Sequence, residues 1–255
     1  MERLFGINSV NARLMLGKSG IDHVLLREGK LSQRLEELSD LAVKIGVRVE
    51  RIPGNSFDEL TDLNHQGAGI VGQPLMMDEQ SLLSMVDRKV AARNHGEIDE
   101  AVSKHLLLLI LDGVTDPRNL GACVRSAASM GVDAIIVPKD KSAPLNEAAS
   151  KTASGGVSLV PVVSVVNLAR CISQLQKRQV WIVGTLLETE QMLHQVDMKE
   201  HIAIVMGSEG KGLRQKTEKC CDFLVKIPMV NPDLGFNVSV ATGIALYEVQ
   251  KQRVF

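Results

Sequence analysis

Apolar and polar positions divide the 255-residue chain into three zones. In the first, residues 1 to about 76, LSQRLEELSDLAVKIG (31–46) has leucines at helical spacing and stops at Gly46. VRVERIP (47–53) alternates as a strand does and ends at Pro53. SFDELTDL (56–63) reads as a short helix, with Ser56 three residues before Glu59, the spacing of a capping box. GAGIVGQPL (67–75) reads as a strand after a glycine-bearing turn. LFGINSVNARLML opens the zone. The pattern predicts a small α/β unit.

The second zone, 77–104, starts with a stretch compatible with a helix and continues through the polar, turn-forming RNHGEIDE. It reads as a linker. The third zone, 105–255, alternates strands and helices. Strands are predicted at 105–112, 133–138, 159–163, 180–185, 201–207 and 223–228, and a last helix from about Asn237 to Arg253. LLLLIL (106–111) and IAIVM (202–206) are apolar at every position. Such runs suit strands covered on both faces, as in a parallel sheet between helix layers. The alternation predicts an open α/β domain.

Composition narrows the functions open to this chain. Apolar residues make up 45%, enough for a buried core, but aromatic residues only 3%. Aromatic stacking is therefore a poor way for it to hold single-stranded bases. The formal net charge of −1 gives no basic excess, so a surface that reads RNA phosphates has to be local. Arg13, Arg118, Arg125, Lys139, Lys141 and Lys151 are candidates for it. The four cysteines, Cys123, Cys171, Cys220 and Cys221, form no CxxC pair, and no histidine cluster has zinc-ligand spacing. They read as reduced thiols, with no metal expected. The N-terminus lacks the apolar core of a signal peptide, and no apolar run approaches the ~20 residues that span a bilayer. A cytoplasmic protein with no membrane or DNA partner is expected.

Ligands of open α/β sheets bind beyond the carboxyl ends of the strands, so the loops there are the place to seek chemistry. In DGVTDPRNLGACVRSAASMG (112–131), Asp116 and Pro117 read as the cap and first residue of a helix. Asn119 lies in its first turn, and Arg125 six residues later, roughly 1.7 turns on. Arg125 can equally be a solvated helix arginine. VMGSEGKGLR (205–214) sets three glycines around Glu209 after a buried strand. The GxxxxGK[ST] pattern is absent, and the carboxylate would repel phosphate, which favours a neutral or cationic ligand. A tight turn with an exposed glutamate is the plainer alternative. In IPMVNPDLGFNVSVATGIALYE (227–248), a polar loop leads into a helix that starts at Asn237 or Ser239. There Asn237 can be simply the cap of a buried terminal helix. No GxGxxG fingerprint follows a strand, which weakens nucleotide-dependent readings.

Taken in order, DPRNLGACVRSA, VMGSEGKG and IPM…NVSVATGIALYE resemble the three motifs of the SpoU branch of the SPOUT RNA methyltransferases. The likeness runs from about residue 106 onward. The first zone resembles the small substrate-binding domain, similar to RNA-binding ribosomal proteins, that precedes the catalytic part in many members. That likeness rests on LFGINSVNARL and on Asn64-His65-Gln66-Gly67. The resemblance implies an α/β domain with a deep trefoil knot, which ordinary chain-threading rules do not predict. It implies S-adenosylmethionine as cofactor and RNA as partner. The substrate would be a ribose 2′-hydroxyl, most closely a guanosine in the peptidyl-transferase loop of bacterial 23S rRNA. It also implies a homodimer in which the partner completes each site. Carried over by position, Asn119, Arg125, Glu209 and Asn237 are the catalytic candidates. Thr185, Gly207, Ile227 and Phe236 are the cofactor-holding ones. The family implicates the Arg125 position in activating the hydroxyl. Arginine side chains have pKa values above about 12, so positioning the hydroxyl stands beside acting as a base.

One departure stands out. Where the family usually reads Ser-Leu-Asn, this chain has Gly235-Phe236-Asn237, and Val230-Asn231-Pro232 occupies a place where glycine is common. Gly235 leaves a non-catalytic RNA-binding assembly factor with the same fold as an alternative; a methyltransferase acting on tRNA is another, set against the N-terminal domain, which favours 23S rRNA.

Overall fold

The computed structural model describes residues 2–61, 65–95, 105–210 and 212–254. Two compact units result, Met1–Leu75 with Ser154–Leu159, and Met76–Ala153 with Val160–Phe255.

The first unit contains, in order, β1 (Glu2–Phe5), α1 (Ile7–Met15), β2 (Ile21–Arg27), α2 (Gln33–Lys44), β3 (Arg48–Ile52), α3 (Gly54–Leu60) and β4 (Ala68–Gly72). Among the described residues the strands form a sheet of order β1-β4-β2-β3, with only the β2–β3 pair parallel. Alternation along β2 sends Val24 and Leu26 into a core with Leu14, Leu35 and Leu38 of α1 and α2, while Leu25 joins Phe57 of α3. The two motifs picked out at the start of the chain and around His65 meet here. The Gln66 side chain accepts a hydrogen bond from Ile7 N at the start of α1, and Gly6 N donates to the Ala68 carbonyl. Asn64 lies outside the described residues. The expected capping box at Ser56 does not form. Helix α3 starts two residues earlier with Pro53 as its cap, and Ser56 N donates to Pro53 O within the first turn. Residues 62–63 of the expected helix lie outside the described residues. Strand β2 has no counterpart in the sequence-based expectation.

The second unit holds β5 (Met76–Met77), α4 (Glu79–His95), β6 (Leu107–Asp112), α5 (Pro117–Ser129), β7 (Ala134–Pro138), α6 (Glu147–Ala153), β8 (Val162–Val165), α7 (Leu168–Gln176), β9 (Trp181–Thr185), β10 (Ile202–Gly207), α8 (Gln215–Glu218), β11 (Phe223–Val225) and α9 (Val238–Val254). Among the described residues these strands make one sheet of order β11-β9-β10-β6-β7-β8-β5, parallel at every pair. All six residues of β6 are buried. Leu108 and Ile110 share a core with Leu82 and Val86 of α4 and Cys171 and Ile172 of α7. Helix α5 packs against both α6 and α9, and α9 packs on β10. An open parallel sheet between helix layers is therefore what the chain builds.

Much of the segment read as a linker is structured. Residues 79–95 form α4, which is tied to the second unit by Glu79–Arg170, Asp87–Arg178 and Lys89–Asp133 ion pairs at 3.0, 2.8 and 2.5 Å. Leu82 and Val86 sit four residues apart on one helix face, and that is the face it buries. Residues 96–104 lie outside the described residues. The strand expected at 159–163 begins at Val162, and Leu159 packs instead against the core of the first unit.

The C-terminal end of α9 is held by side chains that reach strand ends. Arg253 donates to the carbonyls of Met198, His105, Leu106 and Glu200. Gln252 accepts from Met198 N and donates to Val196 O. Helix α9 is thereby fixed to the starts of β6 and β10, while its N-terminus stands at their carboxyl ends.

Candidate active site

Strands β6, β9 and β10 end together, and each end contributes to one site. At the end of β6, Asp112 is fully buried and accepts from Arg214 N at 3.1 Å; its other oxygen lies 3.4 Å from Arg214 Nε. Arg214 Nη2 also donates to the Lys141 carbonyl. One guanidinium thus braces the loops after β6, β7 and β10. Asp116 caps α5, its side chain accepting from Arg118 N, with Pro117 first in the helix as the sequence predicts.

The glycine-rich loop after β10 turns back on itself, with Ser208 and Gly212 exchanging backbone hydrogen bonds at 3.0 Å. A Cβ on Gly207 would lie 2.3 Å from the carbonyl carbon of Gly212, so only glycine fits there. The turn projects Glu209, and three donors from two other segments converge on its Oε1. Asn119 Nδ2 donates at 2.9 Å, Asn237 Nδ2 at 2.6 Å and Val238 N at 3.4 Å. Asn237 Nδ2 also donates to Asn119 Oδ1 at 3.1 Å. Asn237 is the cap of α9, because its Oδ1 accepts from Ser239 N at 2.9 Å. It is both the cap and a member of the polar cluster, so the two readings of its sequence position coincide.

Beside this cluster lies a cavity of about 530 Å³, within the ~300–1,000 Å³ range of small-molecule sites. Thr185, Gly207, Ile227 and Phe236, the four expected cofactor-holding residues, all line it, as do Glu209 and Asn237. The Thr185 hydroxyl donates to the Val205 carbonyl, which fixes the end of β9 against β10. Leu186, Met229 and Leu234 supply apolar wall. Among the described residues the ionisable groups on the lining are both acidic, Glu209 and Asp233. Beneath the cluster, the Cys123 thiol lies 3.4 Å from the Thr242 hydroxyl, and burial pushes its pKa up to about 11.

Seven of the eight expected site residues are therefore gathered around this one cavity and polar cluster. Arg125 is not among them. Six residues beyond Asn119, it lies about 120° away from it around the helix axis; it is exposed, and its guanidinium makes no hydrogen bond or ion pair among the described residues. Of the other basic candidates, Arg13 is buried and donates to the carbonyls of Gly17 and Ser19, so it is a brace for that loop and cannot be a surface contact. Lys139 and Lys141 follow β7, Arg118 stands in the first turn of α5, and Lys151 is on α6; all four are exposed. Gly235 adopts φ +60° with open space around it. The glycine in place of the usual serine thus serves the backbone, since this left-handed region disfavours a residue with a Cβ.

Asp112, Arg214 and Asp233 complete the site without standing out among the sequence candidates. A carboxylate ending a wholly apolar strand was a signal for the first, because a buried charge needs a partner.

The strand-end site and parallel sheet define a class, and comparison supplies its family. A family model described as the SpoU rRNA Methylase family matches residues 106–247, and one described as RNA 2'-O ribose methyltransferase substrate binding matches residues 3–75. The chain belongs to the SpoU rRNA methylase family. It is 40% identical over 252 residues to the 23S rRNA (guanosine-2'-O-)-methyltransferase RlmB of Pseudomonas aeruginosa, covering 99% of this chain and 97% of that protein. It is equally identical over 254 residues to RlmB of Coxiella burnetii, covering 99% and 96%. The fold matches that of the SpoU methyltransferase AviRb from Streptomyces viridochromogenes, with TM-score 0.64, 20% identity and coverage of 99% and 90%. It also matches an AdoMet-bound rRNA methyltransferase from Sinorhizobium meliloti, with TM-score 0.65, 21% identity and coverage of 100% and 88%.

Proposed function

We propose that this protein uses S-adenosylmethionine to methylate a ribose 2′-hydroxyl in RNA, a guanosine of 23S rRNA, in the cytoplasm. The observation that carries the proposal is the convergence of Asn119 and Asn237, 118 residues apart, on one carboxylate oxygen of Glu209 beside the cavity. The curated relatives at 40% identity, covered nearly end to end, support the choice of 23S rRNA over tRNA. Residues 1–76 would be the RNA-binding part and 105–255 the catalytic domain, with the trefoil knot the resemblance implies.

The residues present fit the cofactor. Apolar Leu186, Ile227 and Met229 suit the faces of an adenine, and Gly207 leaves backbone open to close approach. The two acidic lining groups suit a cation, in keeping with the argument against a phosphate ligand. When bound, the cofactor supplies an electrophilic methyl group on a sulfonium centre. Glu209, held by two amides and a backbone N–H, orients groups at the mouth of the cavity, and orientation of reactants supplies much of the rate in such transfers. The 2′-hydroxyl must lose its proton as its oxygen attacks. Arg125 hydrogen-bonds and positions that oxygen.

Arg125 does this across a homodimer. Its place away from the cavity in its own subunit is what a shared site requires. Helix α9 also exposes Val240 and Tyr247, seven residues apart on one face, as apolar surface for a partner copy.

Purified protein, methyl-labelled S-adenosylmethionine and 23S rRNA transcripts test the reading. Label should enter a guanosine ribose and fall to background with Asn119→Ala. Tight RNA binding with no label in any rRNA or tRNA would sink it.

A further inference from the structure

Ser239 stands two residues past Asn237, in the first turn of α9. Its backbone N–H and its hydroxyl both donate to Asn237 Oδ1, at 2.9 and 2.6 Å. The backbone bond is what any helix cap makes. The hydroxyl bond is additional, and it completes an unusual accounting.

An asparagine side chain offers two N–H donors and two oxygen lone pairs. All four are spent here. The oxygen takes both of its bonds from Ser239, and Nδ2 gives its two hydrogens to Glu209 Oε1 and Asn119 Oδ1. Turning the amide over would set its N–H groups against the Ser239 N–H and its oxygen against the Glu209 carboxylate, so one orientation survives. A hydrogen bond accepted at an amide oxygen also strengthens the N–H donors of the same amide. The Ser239 hydroxyl therefore sharpens the bond to Glu209 without touching it.

We propose that Ser239 is a positioning residue whose hydroxyl locks the Asn237 amide and thereby fixes the Glu209 carboxylate at the mouth of the cavity. It does not replace the serine absent at position 235, because its hydrogen is committed to Asn237. The catalytic consequence rests on the methyltransferase reading above; the lock itself does not.

The test compares Ser239→Ala and Ser239→Thr with wild type in the full-length protein. Ser239→Ala keeps the backbone cap and loses only the hydroxyl. Its kcat for methyl transfer should fall roughly tenfold, while KM for the 23S transcript and Kd for S-adenosylhomocysteine stay within about twofold of wild type. Ser239→Thr should restore kcat. In ¹⁵N spectra the side-chain amide signals of Asn237 should shift in Ser239→Ala and return in Ser239→Thr. Unchanged kcat with unchanged amide signals would overturn the proposal. A raised Kd for S-adenosylhomocysteine with kcat unchanged would also overturn it, by placing the hydroxyl on the ligand. If wild-type protein methylates no RNA, the functional reading fails by itself, and the amide signals still decide the lock: unshifted signals refute it.

Discussion

Asn237 and Glu209 come from different loops, 28 residues apart, and their side chains meet at 2.6 Å. The contact joins the cap of the last helix to the tip of the glycine-rich turn. The polar cluster therefore depends on two backbone features: the turn at Gly207–Gly212 and the start of α9.

Removing the shared acceptor should disable the site without unfolding the protein. In Glu209→Ala the amides of Asn119 and Asn237 lose their common partner, and misplaced groups at a reacting centre cost about a hundredfold. Methyl transfer should drop by about that factor. Because Glu209 is exposed, the melting temperature should move by no more than about 2 °C. Unaltered turnover would show that the cluster is not catalytic.

Gly207→Ala should act in the opposite way, on structure first. The added methyl would sit 2.3 Å from backbone carbon, which a side-chain rotation cannot relieve. Overpacking of this kind costs about 1–3 kcal/mol. Thermal unfolding should show that loss, and calorimetry should show weakened S-adenosylhomocysteine binding, since the glycine lines the cavity.

Arg253 anchors the far end of α9 through four carbonyls. Burial lowers its pKa to about 10, a sign of how far it is drawn from water. Arg253→Ala leaves those carbonyls without their donor and should cost about 3 kcal/mol, or roughly 6–12 °C in melting temperature. Differential scanning calorimetry decides it; a shift near zero would mean that α9 is held by its apolar face alone.

Burial pushes the thiol of Cys123 up to about 11 and those of Cys171 and Cys221 up to about 12. At pH 8 far less of Cys123 is then thiolate in the folded protein than in the unfolded chain. Iodoacetamide at pH 8 should leave these three unmodified in folded protein, as mass spectrometry would show. The raised values also set a direction for stability. An unfolded chain gives up these protons near pH 9 and the folded one does not, so the contribution is intact below that pH and declines toward pH 11–12. Rapid labelling of Cys123 in native protein would contradict its burial.

How much of this was legible in the sequence differs by element. The unbroken apolar run 106–111 announced β6, because a strand covered on both faces needs no polar alternation. Asp116-Pro117 announced the start of α5 to the residue. Strand β2 went unseen because Asp22 and His23 interrupt its apolar pattern, and its burial comes from helices packed on it later. The start of the 77–104 segment is compatible with a helix in the sequence, but its attachment as α4 is not legible there, because three of its charged residues find partners far along the chain. At the site, spacing alone gave suspicious loops, and the family motifs supplied the residues. The six-residue spacing already lets Asn119 and Arg125 fall on different faces of the helix; that the Asn119 face is the one that meets Glu209 depends on packing, which spacing does not carry. A carboxylate ending an apolar strand signals that Asp112 needs a partner, but not that Arg214, 102 residues on, supplies it.

The most direct test of the central claim is a transcriptome-wide map of ribose 2′-O-methylation in cells that lack this gene. One guanosine of 23S rRNA should lose its methyl group, regain it with the wild-type gene and fail to regain it with Asn119→Ala. An unchanged 23S rRNA map, or a loss confined to tRNA, would contradict the account.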